Sequence, residues 1–386
     1  EMHSTRGRAN ALRAVISGGL PQSALTSHEL YEILDLCLEC KGCKSECPTE
    51  VDMARMKAEA LNWYQQEHGI PLRSRLFGEI AAFMRLAQPV AGLANPVIRS
   101  RPFRWAMEAG LGVAGQRVLP PLARRAFTRQ FNRTARRADG DPVVLFVDTF
   151  TELNHPELGQ AAVRVLETAG CQVILAAGQG CCGRTMVSKG LLGRARACAE
   201  HNVELLSRYA RRGIPIIGLE PSCLLMLRDE YLDLLPGNED AIAIAGSAKL
   251  IEEFLTEARE AGGSRLASLQ LSPKPGRLLL HNHCHSKALV GSGPALALLR
   301  AIRTEVEEIP SGCCGMAGSF GYEAEHYALS MQIGELKLFP QIRSETEKSP
   351  EARIVAPGMS CRAQIRDGTG ATAFHPVTIL AEALQA

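Results

Sequence analysis

The 386-residue sequence has no run of about 18 uncharged apolar residues, which excludes a membrane-spanning helix. It has no excess of either charge: 43 Lys and Arg stand against 41 Asp and Glu, a formal net of +2. That balance gives no whole-chain argument for nucleic acid or an acidic partner. A secretory signal peptide is absent, and the first residue is Glu1 rather than Met, which predicts a piece of something longer or a trimmed chain. Disorder is excluded as well, because apolar residues make up 46% and charged residues 22%. The length suits two or three domains with a sizeable core.

What the sequence does hold is cysteine in clusters. Thirteen are too sparse for a disulfide scaffold, and a chain of this length does not need one. Four fall between Cys37 and Cys47, and two pairs are adjacent, Cys181–Cys182 and Cys313–Cys314. Vicinal pairs rarely close on themselves, because the geometry is strained. Clustered thiols of this kind point to metal or redox chemistry.

The hydrophobic pattern predicts an α+β protein. Residues 1–95 read as an α-helical domain, with Leu30, Ile33 and Leu34 before the first cluster and Met53, Met56, Ala60 and Leu61 on one face after it. Residues 96–140 read as a basic helical connector, with ten Arg and one acid, Glu108, between Arg99 and Arg137. From 141 onward the pattern alternates β and α, and it repeats. In 141–270 the strands are expected at 143–148, 172–176 and 214–219; in 271–386 they are expected at 277–281, 304–309 and 353–356. Helices are expected at 157–169 and 287–303. Matching landmarks lie 132 to 138 residues apart, and the alignment sets Cys284 against Thr149. Two Rossmann-like units with parallel sheets follow from this order. Their cysteines all come just after strand ends, where ligands of such sheets bind.

Cys37-x2-Cys40-x2-Cys43-x3-Cys47-Pro48 has the ferredoxin spacing for a 4Fe–4S cluster; a zinc site normally pairs two distant Cys-x2-Cys units. In proteins with two such runs the fourth cysteine serves the other cluster. Here one run is present, so Cys47 either closes its own cluster or faces a second site. Lys41 and Lys44, with Arg6 and Arg8, are candidates to offset the cluster's negative charge. Cys284, Cys313, Cys314 and Cys361 form the second candidate set, enough thiolates for an iron–sulfur cluster. Cys181, Cys182 and Cys223 form the third, with Thr149 in the fourth place. Cys171 and Cys198 read as core thiols. Simple alternation places His281, His283 and His285 on one side of a continuing strand, as metal ligands or as donors to cluster sulfur. Gly178-Gln-Gly180 and Gly315-Met-Ala-Gly318 lack a Lys-Ser/Thr phosphate signature and are read as close backbone approaches. The basic stretch, with Phe103, Trp105, Met107, Leu111 and Phe127, is a candidate for peripheral membrane contact through 99–137, for docking on a flavin domain, or for a solvated connector. No nucleic-acid module surrounds it.

The segments Glu1-Met-His-Ser-Thr-Arg-Gly-Arg-Ala-Asn10, Cys181-Cys-Gly-Arg184, Glu220-Pro-Ser-Cys223 and Cys313-Cys-Gly-Met-Ala-Gly-Ser-Phe-Gly321, with the 37–48 loop, resemble the C-terminal iron–sulfur region of FAD-linked oxidases. The group resembled comprises bacterial D-2-hydroxyglutarate and D-lactate dehydrogenases, whose flavin segment lies upstream. The resemblance implies an oxidoreductase portion that relays electrons from reduced FAD through a 4Fe–4S cluster to a quinone or other acceptor. It implies an FAD-binding domain, upstream or as a separate subunit, and a cytoplasmic place, peripheral at the inner membrane face. Thr149 departs from the pattern, as do Glu220 and Gly358, where related modules carry the first Cys of a terminal Cys-x2-Cys. Two other readings stand beside it: a thiol–disulfide redox module similar to heterodisulfide reductase, and a zinc-stabilised interaction module.

Overall fold

The computed structural model describes residues 1–131, 139–259, 262–274 and 276–385. Arg133, Arg136 and Arg137 of the basic stretch lie outside the described residues. Short polar caps start the N-terminal helices: Ser4 for Thr5–Ile16, Ser27 for His28–Asp35 and Asp52 for Met53–His68. Leu12, Leu30, Leu34, Met53 and Ala60 then meet in a small core that includes Cys37. Met56, expected on that face, is exposed instead.

The Val143-Val-Leu-Phe146 run is buried at every position, as a strand covered on both faces requires. It belongs to β1 (Asp141–Phe146), which pairs in parallel with β2 (Cys171–Ile174) and β3 (Ile216–Gly218). β4 (Ala248–Leu250) closes the sheet in the order β2-β1-β3-β4. The second sheet repeats it: β5 (Arg277–Leu280), β6 (Glu305–Glu308), β7 (Arg353–Val355) and β8 (Ala373–Phe374), in the order β6-β5-β7-β8, all parallel. β4 and β8 were not expected, and a single helix over 287–303 is not found. Helices Cys284–Leu289 and Gly293–Arg300 replace it, with Pro294 opening the second.

The two units pack helix against helix. Pro156–Thr168 lies on Pro376–Ala383, and Ile251–Thr256 on Gly293–Arg300, around Leu166, Leu255, Leu298 and Leu380. Phe127 is 1% exposed in this core, so it cannot belong to a membrane-facing surface. Arg117 is not a surface charge either: its buried guanidinium donates to the Gly321 carbonyl, Asp367, Ser330 and Gln364. Four short helices, Leu72–Gly78, Ile80–Ala87, Ala91–Arg99 and Arg101–Leu111, run between the N-terminal part and the sheets. They are fixed at both ends, Gly78 against Leu191 and Ala114 through its N–H to the Tyr322 carbonyl at 2.7 Å. Among the described residues no helix is long and apolar enough to cross a membrane.

Candidate metal centre

In this strand order the crevice lies beyond the carboxyl ends of the two central strands, β1 and β3 or β5 and β7. The second unit places its cysteines there. Cys284 opens the helix after β5, Cys313–Cys314 follow β6, and Cys361 is the third residue of the helix Met359–Thr369 after β7. The thiols are neighbours in series: Cys284 with Cys313, Cys313 with Cys314, Cys314 with Cys361. Gly315, at φ +95°, gives the turn after the pair its hand. A Cβ there would sit 2.3 Å from the Ser330 carbonyl oxygen.

The first unit repeats this chain with one change. Cys181 neighbours Cys182, Cys182 neighbours Cys223, and Thr149 lies against Cys181 as Cys284 lies against Cys313. Cys171 is core; Cys198 is half-buried, its thiol 3.7 Å from the Met186 sulfur. Gly358 has a physical reason for carrying no side chain: a Cβ would come 2.4 Å from the His283 ring. The neighbouring Met359 N–H donates to Glu220 of the first unit at 2.8 Å.

The strand does not continue through the histidines: β5 ends at Leu280 and a helix opens at Cys284, so His285 is helical, and its ring meets that of His283 edge-on at 5.1 Å. His281 Nδ1 pairs with Ser311 Oγ at 2.8 Å, while its buried Nε2 has no hydrogen-bond partner. That imidazole and the Cys314 and Cys361 sulfurs offer ligand atoms within 4.8 Å of one another. His283 Nδ1 accepts the His285 N–H, and His285 Nε2 sits 2.9 Å from the Glu39 carbonyl oxygen. His285 therefore ties this unit to the first cysteine loop.

Around that loop, Glu39 and Lys41 take left-handed backbone at φ 51° and 60°, on either side of Cys40. Cys40 senses both Cys43 and Cys284, and helix Gly42–Glu46 packs on helix Cys284–Leu289. The loop and the second unit's thiols thus form one neighbourhood. The Met53 N–H points at the Cys43 sulfur at 3.4 Å. Cys47 is turned toward solvent, with Thr49 Oγ1 3.2 Å away; that hydroxyl and nearby backbone N–H groups pull its thiol down.

The cations differ from expectation. Lys41, 2% exposed, pairs with Asp229 and with Glu230 at 2.8 Å, and Lys44 pairs with Asp229 and Asp52. Both are neutralised by carboxylates of the first unit and of the Met53–His68 cap. Arg6 pairs with Glu1 at the surface. Arg8, buried and bonded to the Ile33 carbonyl, does act on the Cys37 thiol, and Lys57 joins it, donating to the Asp35 and Cys37 carbonyl oxygens at 2.9 and 2.8 Å. Arg184 of Cys181-Cys-Gly-Arg184 joins Glu39 at 3.0 Å to Glu230 at 2.7 Å. Neither Lys57 nor Glu39 carried a sequence signal, since each is a lone charge in a helical or loop context; Arg184 carried one only as part of its motif.

Burial pushes the Cys37 and Cys40 thiols up. The adjacent Cys313 thiol and then burial push Cys284 up. On Cys361 the Cys314 thiol acts downward, and burial with the remaining thiols overrides it. Soft sulfurs in two adjoining sets, some buried and some partly exposed, backed by N–H donors and an unpartnered imidazole nitrogen, fit a thiolate-held metal centre.

Beside Cys37, His326 lies between Asp35 at 2.7 Å and Glu323 at 3.2 Å, stacked on Phe320. Burial opposes its charge, but the two carboxylates prevail and lift it to about 9. Its stabilising contribution is therefore complete below its ordinary 6.5 and lost as pH rises through about 9. Urea stability is expected to fall across that window, and His326→Gln to flatten the slope. An equal slope in the variant would place the pH dependence elsewhere.

Two copies of one parallel α/β unit, each with cysteines at its carboxyl edge, define a tandem cysteine-rich redox-type protein. Residues 146–228 and 278–366 each match the CCG cysteine-rich domain. The chain is 32% identical over 303 residues to one of the subunits of anaerobic glycerol-3-phosphate dehydrogenase of Escherichia coli (strain K12), covering 78% of this chain and 74% of that polypeptide. It belongs to the family of CCG-containing, oxidoreductase-related proteins that this relative represents. It is also 27% identical over 371 residues to D-2-hydroxyglutarate dehydrogenase of Pantoea ananatis, where it matches 92% of its own length but 34% of that enzyme's. Lactate utilization protein A of Oceanobacillus iheyensis is 27% identical over 253 residues, 62% of this chain and 96% of that protein.

Proposed function

We propose that this chain is the iron–sulfur electron-transfer portion of an FAD-dependent D-2-hydroxyacid dehydrogenase acting on D-2-hydroxyglutarate or D-lactate. In this reading it takes electrons from FAD held by an upstream domain or separate subunit and delivers them to a quinone or other acceptor. Cys37, Cys40, Cys43 and Cys47 hold a 4Fe–4S cluster in a ferredoxin-type domain over 1–95, joined through 96–140 to cysteine-rich modules over 141–270 and 271–386. Cys284, Cys313, Cys314 and Cys361 hold a second metal centre, with His281 beside it. Cys181, Cys182 and Cys223 are the weakest candidate set, since Thr149 offers a hydroxyl where the other unit has a thiol. A bound iron–sulfur cluster supplies one-electron transfer. The chain's own residues position the sulfurs, exclude water and place cations near them.

The observation that carries this reading is the adjacency of the two thiol sets: helix Gly42–Glu46 of the loop packs on helix Cys284–Leu289, and Cys40 lies within electrostatic reach of Cys284. A single-electron path needs neighbouring centres, and a merely structural zinc module has no use for two. The test is anaerobic purification of the whole polypeptide with its flavin partner, with iron and sulfide counts and EPR before and after D-2-hydroxyglutarate or D-lactate. Iron, sulfide and a substrate-dependent EPR signal are expected. Zinc alone would end the proposal, and reduction of a disulfide without flavin would favour the heterodisulfide-reductase-like alternative.

A further inference from the structure

Two of the departures from the related modules, Glu220 and Gly358, meet across the boundary between the units. Glu220 Oε2 accepts the N–H of Met359, the residue after Gly358, at 2.8 Å. The carboxylate is buried, and its other oxygen accepts from Ser222 Oγ at 2.9 Å.

Met359 opens the helix Met359–Thr369, which carries Cys361 in its first turn. The first N–H groups of a helix have no partner within it, and a short polar side chain just before the helix ordinarily supplies one. Gly358 stands in that place and supplies none. It has no room for a side chain, because a Cβ there would strike the His283 ring. The partner comes from the other unit instead, 139 positions earlier in the chain.

The same residue starts the first unit's thiol turn. Glu220 precedes the helix Pro221–Arg228, and its main-chain carbonyl accepts the Cys223 N–H at 3.0 Å. Its backbone therefore serves the helix of Cys223 while its side chain serves the helix of Cys361. A second contact pins the segment from the far side. His375 Nδ1 accepts the Val377 N–H, which leaves the proton on Nε2, and Nε2 donates to the Leu219 carbonyl at 3.1 Å. Arg362, the fourth residue of the Met359–Thr369 helix, offsets the carboxylate's charge. A thiol at position 220 is shorter and a weak acceptor, so it would not make this bridge.

We propose that Glu220 is a positioning residue for the second thiol set, fixing Cys361 from the first unit. The unit that lacks a fourth thiol is then the mount for the unit that has one. The consequence for a metal rests on the reading of Cys284, Cys313, Cys314 and Cys361 as its ligands; the bond and its hold on the helix do not.

The test compares Glu220→Ala with Glu220→Gln in the whole polypeptide with its flavin partner, prepared anaerobically. The glutamine amide oxygen still accepts from Met359, whereas alanine offers nothing. Hydrogen exchange resolved to single residues needs no metal. Wild-type Met359 is expected to exchange as slowly as amides inside its helix. Glu220→Ala should speed it roughly tenfold and Glu220→Gln should leave it near wild type. Cys284→Ser identifies the EPR signal that belongs to the second set. In Glu220→Ala that signal is expected to bleach at about tenfold less ferrous chelator than in wild type or Glu220→Gln, with the loop iron unchanged. Fast exchange at Met359 in the wild type overturns the proposal without any variant, so misfolding of Glu220→Ala does not shield it. Equal exchange in all three chains, or equal chelator sensitivity, overturns it too. Should Cys284→Ser remove no signal, the metal-centre reading fails by itself, and the exchange difference still decides whether Glu220 holds the helix.

Discussion

Cys40→Ser is expected to strip the loop of its metal, lowering iron by about four atoms per chain and bleaching the visible absorption that accompanies them. The position is the least forgiving of the four. Left-handed residues on both sides set its backbone, and its thiol lies within electrostatic reach of both Cys43 and Cys284. Serine keeps the volume but offers a hard, protonated oxygen where the cluster needs a soft thiolate. Substrate reduction of the flavin in the intact enzyme is expected to persist, while transfer onward to ferricyanide collapses. Cys313→Ser provides the contrast, because it should spare the loop iron. Retention of full iron by Cys40→Ser, or loss of flavin reduction, would remove the loop from its assigned role.

Arg184→Met is expected to destabilise the protein by about 3–5 kcal/mol, the usual loss when one partner of a buried ionic network is removed. Arg184 sits between Glu39 and Glu230, and Glu230 also receives Lys41. Burial acts to lower its pKa, and the two carboxylates outweigh it. Without the guanidinium, Glu39 keeps only Lys57 at 3.9 Å. Glu39→Gln in the Arg184→Met background should recover part of the loss, which isolates uncompensated charge from lost packing. Urea midpoints of the folded, metal-loaded chain measure both. A loss below about 1 kcal/mol would mean that water reaches the network and screens it.

Much of the architecture was legible because duplication doubles every signal. The apolar runs at 143 and 277 mark central strands, and the alignment of Thr149 with Cys284 holds down to which sulfur each one neighbours. β4 and β8 escaped because three and two residues are too short to show a period. The histidine alternation failed because β5 ends at Leu280 and a helix opens at Cys284, so a period of two does not reach His285. Charge was the least readable property. Arg117 counted as one of ten arginines in the basic connector, yet it is enclosed by groups from 321 to 367 that no local pattern connects to it. Lys41 and Lys44 looked free to balance a cluster, but Asp229, almost two hundred positions away in the chain, claims both.

The clamps on the first cysteine loop have a temporal side. Arg184 reaches Glu39 across 145 positions and His285 reaches it across 246. On a ribosome emitting the chain from its amino end, the loop emerges long before either clamp exists. Lys57 is close by in the sequence, but the Arg184 and His285 contacts to the loop's left-handed turns wait until the first copy has folded and the second has begun. Stable iron insertion is thus a late event in biogenesis, and nascent chains halted before residue 285 should take up iron poorly even when every loop cysteine has already been synthesised.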